Sequence, residues 1–307
     1  YQKGHIYGVL QKVATQQSKA RVANDEYDKE SASDFALWKK ALPGEPSWPA
    51  SYSEDNMVTD MPGRPGWHIE CSAMSEKILG IPFDIHTGGI DLKFPHHENE
   101  IAQTVAAGND NLANYFVHNN HIMVDGKKMS KSLGNVYTLR DVEAKGFSPA
   151  SFRLLVLESH YHSESNFSWE ILQAANNRYK NWLSIADTMW QLPESSDTSL
   201  ISDLNDALAD NINTPLALKQ IDSYLESVVA SNTSPNRTVI EHIEQALGLV
   251  LKTKDIPKKI KEILQKRELA RIEKNWVLSD ELRDKLAKLD VNVRDETNGQ
   301  IWSRTNN

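Results

Sequence analysis

The chain has 307 residues, 39% of them hydrophobic and 25% charged, with a formal net charge of −8. The length predicts roughly two or three domains, and the lack of any apolar run of about 18 residues excludes a membrane-spanning helix. The acidic total argues against a general nucleic-acid coat while leaving room for a local basic face, and a single cysteine, Cys71, excludes an internal disulfide.

The opening residues, Tyr1 to Lys12, lack the basic start, apolar centre and cleavage site of a signal peptide, so an intracellular protein is expected. Tyr1 to Ser33 is polar and suggests no element. Asp34 to Lys39 reads as a short structured piece. The stretch Leu42-Pro43-Gly44-Glu45-Pro46-Ser47-Trp48-Pro49 cannot be continuous helix, because proline lacks the donor and restricts its predecessor. Ala50 to Gly63 reads as a surface loop.

From Trp67 to Leu79 the apolar residues Ile69, Ala73, Met74, Ile78 and Leu79 recur at helical spacing. Gly80 stops that helix, Pro82 to His86 reads as a buried strand, and Gly88-Gly89 as a turn. Glu98 to Ala107 resumes a helix. Strand, turn and helix in alternation predict an α/β core with a parallel sheet.

Past Phe147 the periodicity is helical throughout. Helices are expected over Ala150–Glu158, Trp169–Leu192, Ser199–Ala209, Thr214–Ala230 and Thr238–Leu251, which together make a helical bundle. Tyr179, Trp182 and Trp190 are read as its core. The last unit, Ile256 to Trp302, has two charged helices, a short strand over Val291–Asp295 and a turn at Asn298-Gly299. Lys252 to Lys288 holds twelve basic residues against seven acids, a basic face within an acidic chain.

Three constellations carry chemistry. Lys128-Met129-Ser130-Lys131-Ser132-Leu133-Gly134-Asn135 sets two lysines three apart among small residues. Such a loop can bring ammonium groups to a polyphosphate, where fixed cations stabilise charge that builds on a leaving pyrophosphate. His96 and Glu100 are four apart and project from one helix face. Imidazole and carboxylate are zinc ligands, and the Cys71 thiolate on a different helix would add a soft third donor. Gly88-Gly89 with Asp91 would let backbone approach a nucleotide while an acid holds ribose hydroxyls.

These residues resemble a known family. Lys128 to Ser132 matches the KMSKS signature of class I aminoacyl-tRNA synthetases. Arg64-Pro65-Gly66-Trp67-His68-Ile69-Glu70-Cys71, the run Asp84 to Leu92 and Phe94-Pro95-His96-His97-Glu98-Asn99-Glu100 are similar to the cysteine-specific branch. The resemblance continues through Asn213-Thr214-Pro215 and through Asp280 to Leu286 ahead of Trp302.

The resemblance implies a fold: part of a Rossmann-like α/β catalytic core, an α-helical bundle and a small mixed C-terminal domain. It divides the chain into catalytic core with zinc site (1–112), a connecting segment with the KMSKS loop (113–168), a tRNA-binding bundle (169–252) and an anticodon-binding domain (253–307). It implies that L-cysteine and ATP with Mg2+ give cysteinyl-adenylate, and that cysteine then passes to the terminal adenosine of tRNA(Cys). Lys131, with Lys128, is expected to stabilise the pyrophosphate. Gly88, Gly89 and Asp91 are expected to contact adenosine, and the run His121 to Val124, with Met123, to meet adenine through its backbone.

Cys71, His96 and Glu100 are the implied Zn2+ ligands, with His97 a neighbour and a further cysteine ligand expected upstream of Tyr1. Zinc binds a thiolate far better than a hydroxyl, which an apolar pocket could separate only weakly. Trp67 and His86 are expected to line the amino-acid pocket. Gly4-His5-Ile6-Tyr7-Gly8 faintly resembles the HIGH element of these enzymes, but no buried strand precedes it, so His5 is rejected as catalytic, and the chain alone is expected to be inactive without an upstream part that carries that element. The basic tail is expected to hold tRNA phosphates, with Trp302 stacking on a base. A monomer in the cytoplasm is expected. The rival readings are a ligase that passes activated cysteine to an amino sugar, and a noncatalytic RNA-binding fragment.

Overall fold

The computed structural model describes residues 7–11, 34–54, 57–296 and 299–305; His5 and Asn298 lie outside them. It divides into two compact units, 1–121 and 122–307.

In the first unit, β1 (Trp38–Lys40) pairs antiparallel with β4 (Gly63–Pro65). Between them β2 (Ser51–Glu54) and β3 (Met57–Asp60) form an antiparallel hairpin, so the surface loop expected over Ala50–Gly63 is a correction. The β-formers Tyr52, Val58 and Thr59 favour strand, but the polar residues around them hide the alternation. Helix α1 (Trp67–Leu79) occupies its expected range and ends at Gly80, whose φ of +80° suits glycine.

Strand β5 (Phe83–Gly89) pairs in parallel with β6 (Ala113–Asn119), in the register Phe83↔Ala113 to Gly89↔Asn119. The connection between them is an irregular helical turn over Lys93–His97 and then α2 (Glu98–Ala106). This is the strand–helix–strand unit predicted by the alternation. Gly88 and Gly89 lie inside β5 rather than in a turn, a second correction. Phe83, Ile101, Leu112 and Ala113 form the small core beneath, and Ser72 of α1 donates to Gln103 of α2 at 2.6 Å.

The second unit begins with β7 (Ile122–Val124), parallel to β8 (Ser165–Phe167), with α3 (Leu139–Ala144) and α4 (Pro149–Leu157) between them. Thr138 and Asp141 make a capping box on α3, and Ser148 caps α4 ahead of a first-turn proline. Then come α5 (Trp169–Ala186), α6 (Ser199–Ala209), α7 (Thr214–Ala230) and α8 (Arg237–Leu247). Their buried faces, including Trp182, Leu204, Leu218, Ile221 and Ile240, make the largest core of the chain. Burying such a stripe, at about 25 cal/mol per Å2, is what holds a bundle.

Helices α9 (Lys258–Ile272) and α10 (Trp276–Ala287) and the antiparallel hairpin β9 (Val291–Glu296)–β10 (Gly299–Arg304) close the chain over Ile256, Leu264, Leu286, Val291 and Trp302. Trp302 is only 5% exposed, so it cannot stack on an incoming base as the sequence suggested; the exposed tryptophan of this unit is Trp276, at 55%. Buried Asp187 pairs with Arg304 and accepts from its main-chain N–H at 3.2 Å, tying β10 to the end of α5.

Candidate functional site

Two helices and one strand of the first unit meet around Glu100. Its side chain is buried on the first turn of α2, where a carboxylate also suits the helix dipole. His96, one turn earlier, sets Nε2 2.8 Å from Glu100 Oε1. His86, from β5, sets Nε2 2.5 Å from Glu100 Oε2. Cys71 arrives from α1. One donor atom each from Cys71, His96 and Glu100 lie within 4.8 Å of one another, and so do those of His86, His97 and Glu100.

The donors of the first group suit a soft cation. Burial pushes the Cys71 thiol up to about 11, and the Glu100 charge adds to it. Burial also works against the Glu100 carboxylate, but the hydrogen bond from His86 and the neighbouring imidazoles outweigh it and hold the group at about 2. Glu100 Oε1 accepts no aligned hydrogen bond, although it is buried. His96 Nδ1 lies 2.8 Å from His68 Nδ1. When His96 donates through Nδ1, its Nε2 lone pair faces Glu100 Oε1, and two such acceptors repel unless a cation lies between them. A thiolate, an imidazole and a carboxylate are a zinc donor set, and a divalent ion would bring the thiol proton off.

Trp67 stands at the mouth of this cluster. It is 59% exposed, so it is not a core residue, and its ring centroid lies 4.2 Å from that of His96. His97 Nδ1 lies 2.9 Å from His118 Nε2, and burial, then His86, push its pKa down to about 4. A Cβ on Gly88 would sit 2.7 Å from the His97 ring, and one on Gly89 2.4 Å from Asp91 Oδ1. Gly88 is therefore required by packing inside the strand, whereas the exposed Asp91 side chain can swing away from a Cβ at Gly89. Asp91 is exposed, 3.6 Å from His121 Nε2.

The remaining predicted residues belong to the second unit. Met123 lies in β7, opposite Asn166. Lys128 and Lys131 are exposed on a loop whose shape is set by Asn135. The Asn135 Oδ1 accepts from the Ser130 N–H at 2.8 Å, and its Nδ2 donates to the Lys128 carbonyl at 3.3 Å. Ser130 caps a short helical turn over Lys131–Leu133, and Gly134 ends it with φ of +64°.

Sequence reasoning missed the roles of His68, Glu98, His118 and Asn135. His68 precedes Cys71 by three on α1, a spacing that could have placed both on one face. Glu98 and His118 meet partners distant in sequence and gave no signal.

A profile described as the class I (C) tRNA synthetase catalytic domain matches residues 1–177, and one described as the cysteinyl-tRNA ligase anticodon-binding domain matches 253–302. A cysteine–tRNA ligase of Chlamydia caviae is 36% identical, covering 97% of this chain and 66% of the relative. Another, of Brachyspira hyodysenteriae, is 37% identical, with 97% and 68% covered. For one of Legionella pneumophila the identity is 39%, with 90% and 61% covered. The chain thus spans about two thirds of the length of these curated relatives. With both profiles and relatives of this similarity in agreement, the chain belongs to the cysteine–tRNA ligase family of class I aminoacyl-tRNA synthetases.

Proposed function

We propose that this chain carries the thiol-selecting and ATP-activating parts of a cysteine–tRNA ligase, which joins L-cysteine to ATP as cysteinyl-adenylate and passes it to the terminal adenosine of tRNA(Cys). The observation that carries the proposal is the convergence of donor atoms from Cys71, His96 and Glu100 within 4.8 Å. In this reading the three hold Zn2+, which supplies a soft Lewis acid to grip the sulfur of cysteine and reject serine. His86 steadies Glu100 through Oε2, as outer partners do for metal-binding carboxylates. Trp67, exposed beside His96, lines the amino-acid pocket.

Gly88, Gly89 and Asp91 contact adenosine in this proposal, and Met123 offers backbone groups to adenine. Lys131, with Lys128, takes up the charge that develops on pyrophosphate as the cysteine carboxylate attacks the α-phosphate; Mg2+ accompanies ATP. Support for the lysines is a loop in which Asn135 and Ser130 fix the backbone while both ammonium groups stay exposed. Assigning 1–112 to the catalytic core, 113–168 to the connecting segment, 169–252 to the tRNA-binding bundle and 253–307 to anticodon binding is part of the same proposal. The match of the last segment to an anticodon-binding profile supports tRNA over an amino sugar as acceptor. A monomeric state and a cytoplasmic location complete it, and sedimentation and fractionation test them.

Two measurements decide the reading. Metal analysis of the purified chain should find one zinc per chain, lost when Cys71 and His96 are replaced together by alanine. Cysteine-dependent ATP–pyrophosphate exchange, run on this chain and on one extended upstream of Tyr1, should be catalysed by the extended chain, with serine inert. Zinc content unchanged by the double replacement would sink the assignment of the ligands.

A further inference from the structure

Glu98 is a buried carboxylate with no part in the chemistry proposed above. It is 0% exposed, and its two oxygens accept from four successive main-chain N–H groups. Gly8 and Val9 donate to Oε2 at 3.0 and 3.1 Å; Leu10 and Gln11 donate to Oε1 at 2.5 and 2.9 Å. Next to it, Asn99 Oδ1 accepts from the Tyr7 hydroxyl, and the Tyr7 ring meets Phe94 edge-on at 6.2 Å. Leu10 packs on the core of Phe83, Ile101, Leu112 and Ala113. Segment 7–11 is therefore a strap laid on the start of α2. At about 100° per residue, Glu98 lies roughly 200° around the helix from His96. The turn that carries the candidate metal ligands on one face is clamped on the other.

We propose that Glu98 is a positioning residue: it latches the strap onto the back of α2 and so holds His96 and Glu100 in register with Cys71. This rests on the metal site proposed above. Hydrogen bonds to a charged acceptor are the stronger kind, and a carboxylate removed from water without them would be costly, so the latch closes in one geometry. A fixed turn spares the metal the ordering of its ligands, which raises affinity without adding a contact.

The test compares the parent chain with Glu98→Gln and with Ile101→Val, a core change on the same helix that serves as a control for plain destabilisation. In Glu98→Gln, an amide group faces two N–H donors that it cannot accept. Hydrogen-exchange protection at residues 8–11 should fall at least tenfold, and zinc affinity, measured by chelator competition, should fall about tenfold. The visible ligand-field bands of the cobalt-loaded chain should change. Ile101→Val should leave affinity and bands as in the parent. Should Glu98→Gln fail to fold, Glu98→Asp, which keeps the charge but shortens the reach, is read in the same way. Unchanged protection at 8–11, or zinc held equally by parent and variant, overturns the role of Glu98. A parent chain that binds no zinc defeats the metal reading itself, which is a different result.

Discussion

His86 Nε2 lies 2.5 Å from Glu100 Oε2, so strand β5 and helix α2 meet through one short contact at the centre of the candidate site. That contact occupies one carboxylate oxygen and leaves the other, Oε1, facing His96. Replacing His86 by alanine should leave the ligand atoms in place but free the carboxylate to rotate. Zinc affinity should fall about 10- to 100-fold, the usual effect of losing an outer partner. Chelator competition on the purified chain checks this, and an affinity equal to that of the parent would remove His86 from the site.

Gly88 should not tolerate a side chain. A Cβ there would lie 2.7 Å from the His97 ring and 3.1 Å from Leu92, both held inside the unit. Gly88→Ala must push His97 off His118 or open the strand, at a cost of about 1–3 kcal/mol. Urea unfolding of the chain should show the loss. The double change Gly88→Ala with His97→Ala, which removes the clashing ring, should recover part of it; no recovery would place the strain elsewhere.

The bundle helices α6 and α7 were legible because a buried stripe repeats every three or four residues, and asparagine or proline marks their ends; α1 was legible from apolar spacing and its terminal Gly80, although Met74, Ile78 and Leu79 of that spacing are exposed. The hairpin β2–β3 was not, since its strands are short and polar. Gly88-Gly89 read as a turn because sequence shows a missing side chain but not the neighbour that fills its place; here His97 and Asp91 do. Cys71, His96 and Glu100 could be grouped from donor chemistry and resemblance. Glu98 could not, as its partners lie about ninety residues away and are main-chain atoms without identity. Trp302 misled in the opposite direction: its place in a basic segment suggested an RNA contact, while packing buries it in the core of its unit.

In the chain extended upstream of Tyr1, Lys131→Ala should reduce cysteine-dependent ATP–pyrophosphate exchange about 100-fold or more, the scale of losing one preorganised charge donor. The loss should fall mainly on kcat if the ammonium group meets charge that appears only in the transition state. Zinc content and unfolding midpoint should not move, because the side chain is exposed. An exchange rate unchanged by this substitution would remove the lysine from catalysis.

Asp295 should set the acid limit of the C-terminal unit. Arg267, 0% exposed, grips it with Nη1 and Nη2 at 2.8 and 2.9 Å, and Arg271 and Arg283 each approach at 3.1 Å. The hydrogen bond from Arg267 lowers the Asp295 pKa most; partial burial opposes it, and the charges of Arg267, Arg271 and Arg283 add to the lowering. A folded-state pKa below the unfolded value means that the ionised group stabilises the fold above about pH 4, and that this stability is lost as pH falls further. The unfolding midpoint followed by circular dichroism should therefore drop more steeply with acid for the parent chain than for Asp295→Asn. At pH 7 that substitution should cost about 3 kcal/mol, because it leaves the buried Arg267 guanidinium without its counter-charge. Equal acid slopes for parent and variant would mean that the arginine cluster does not hold this unit together.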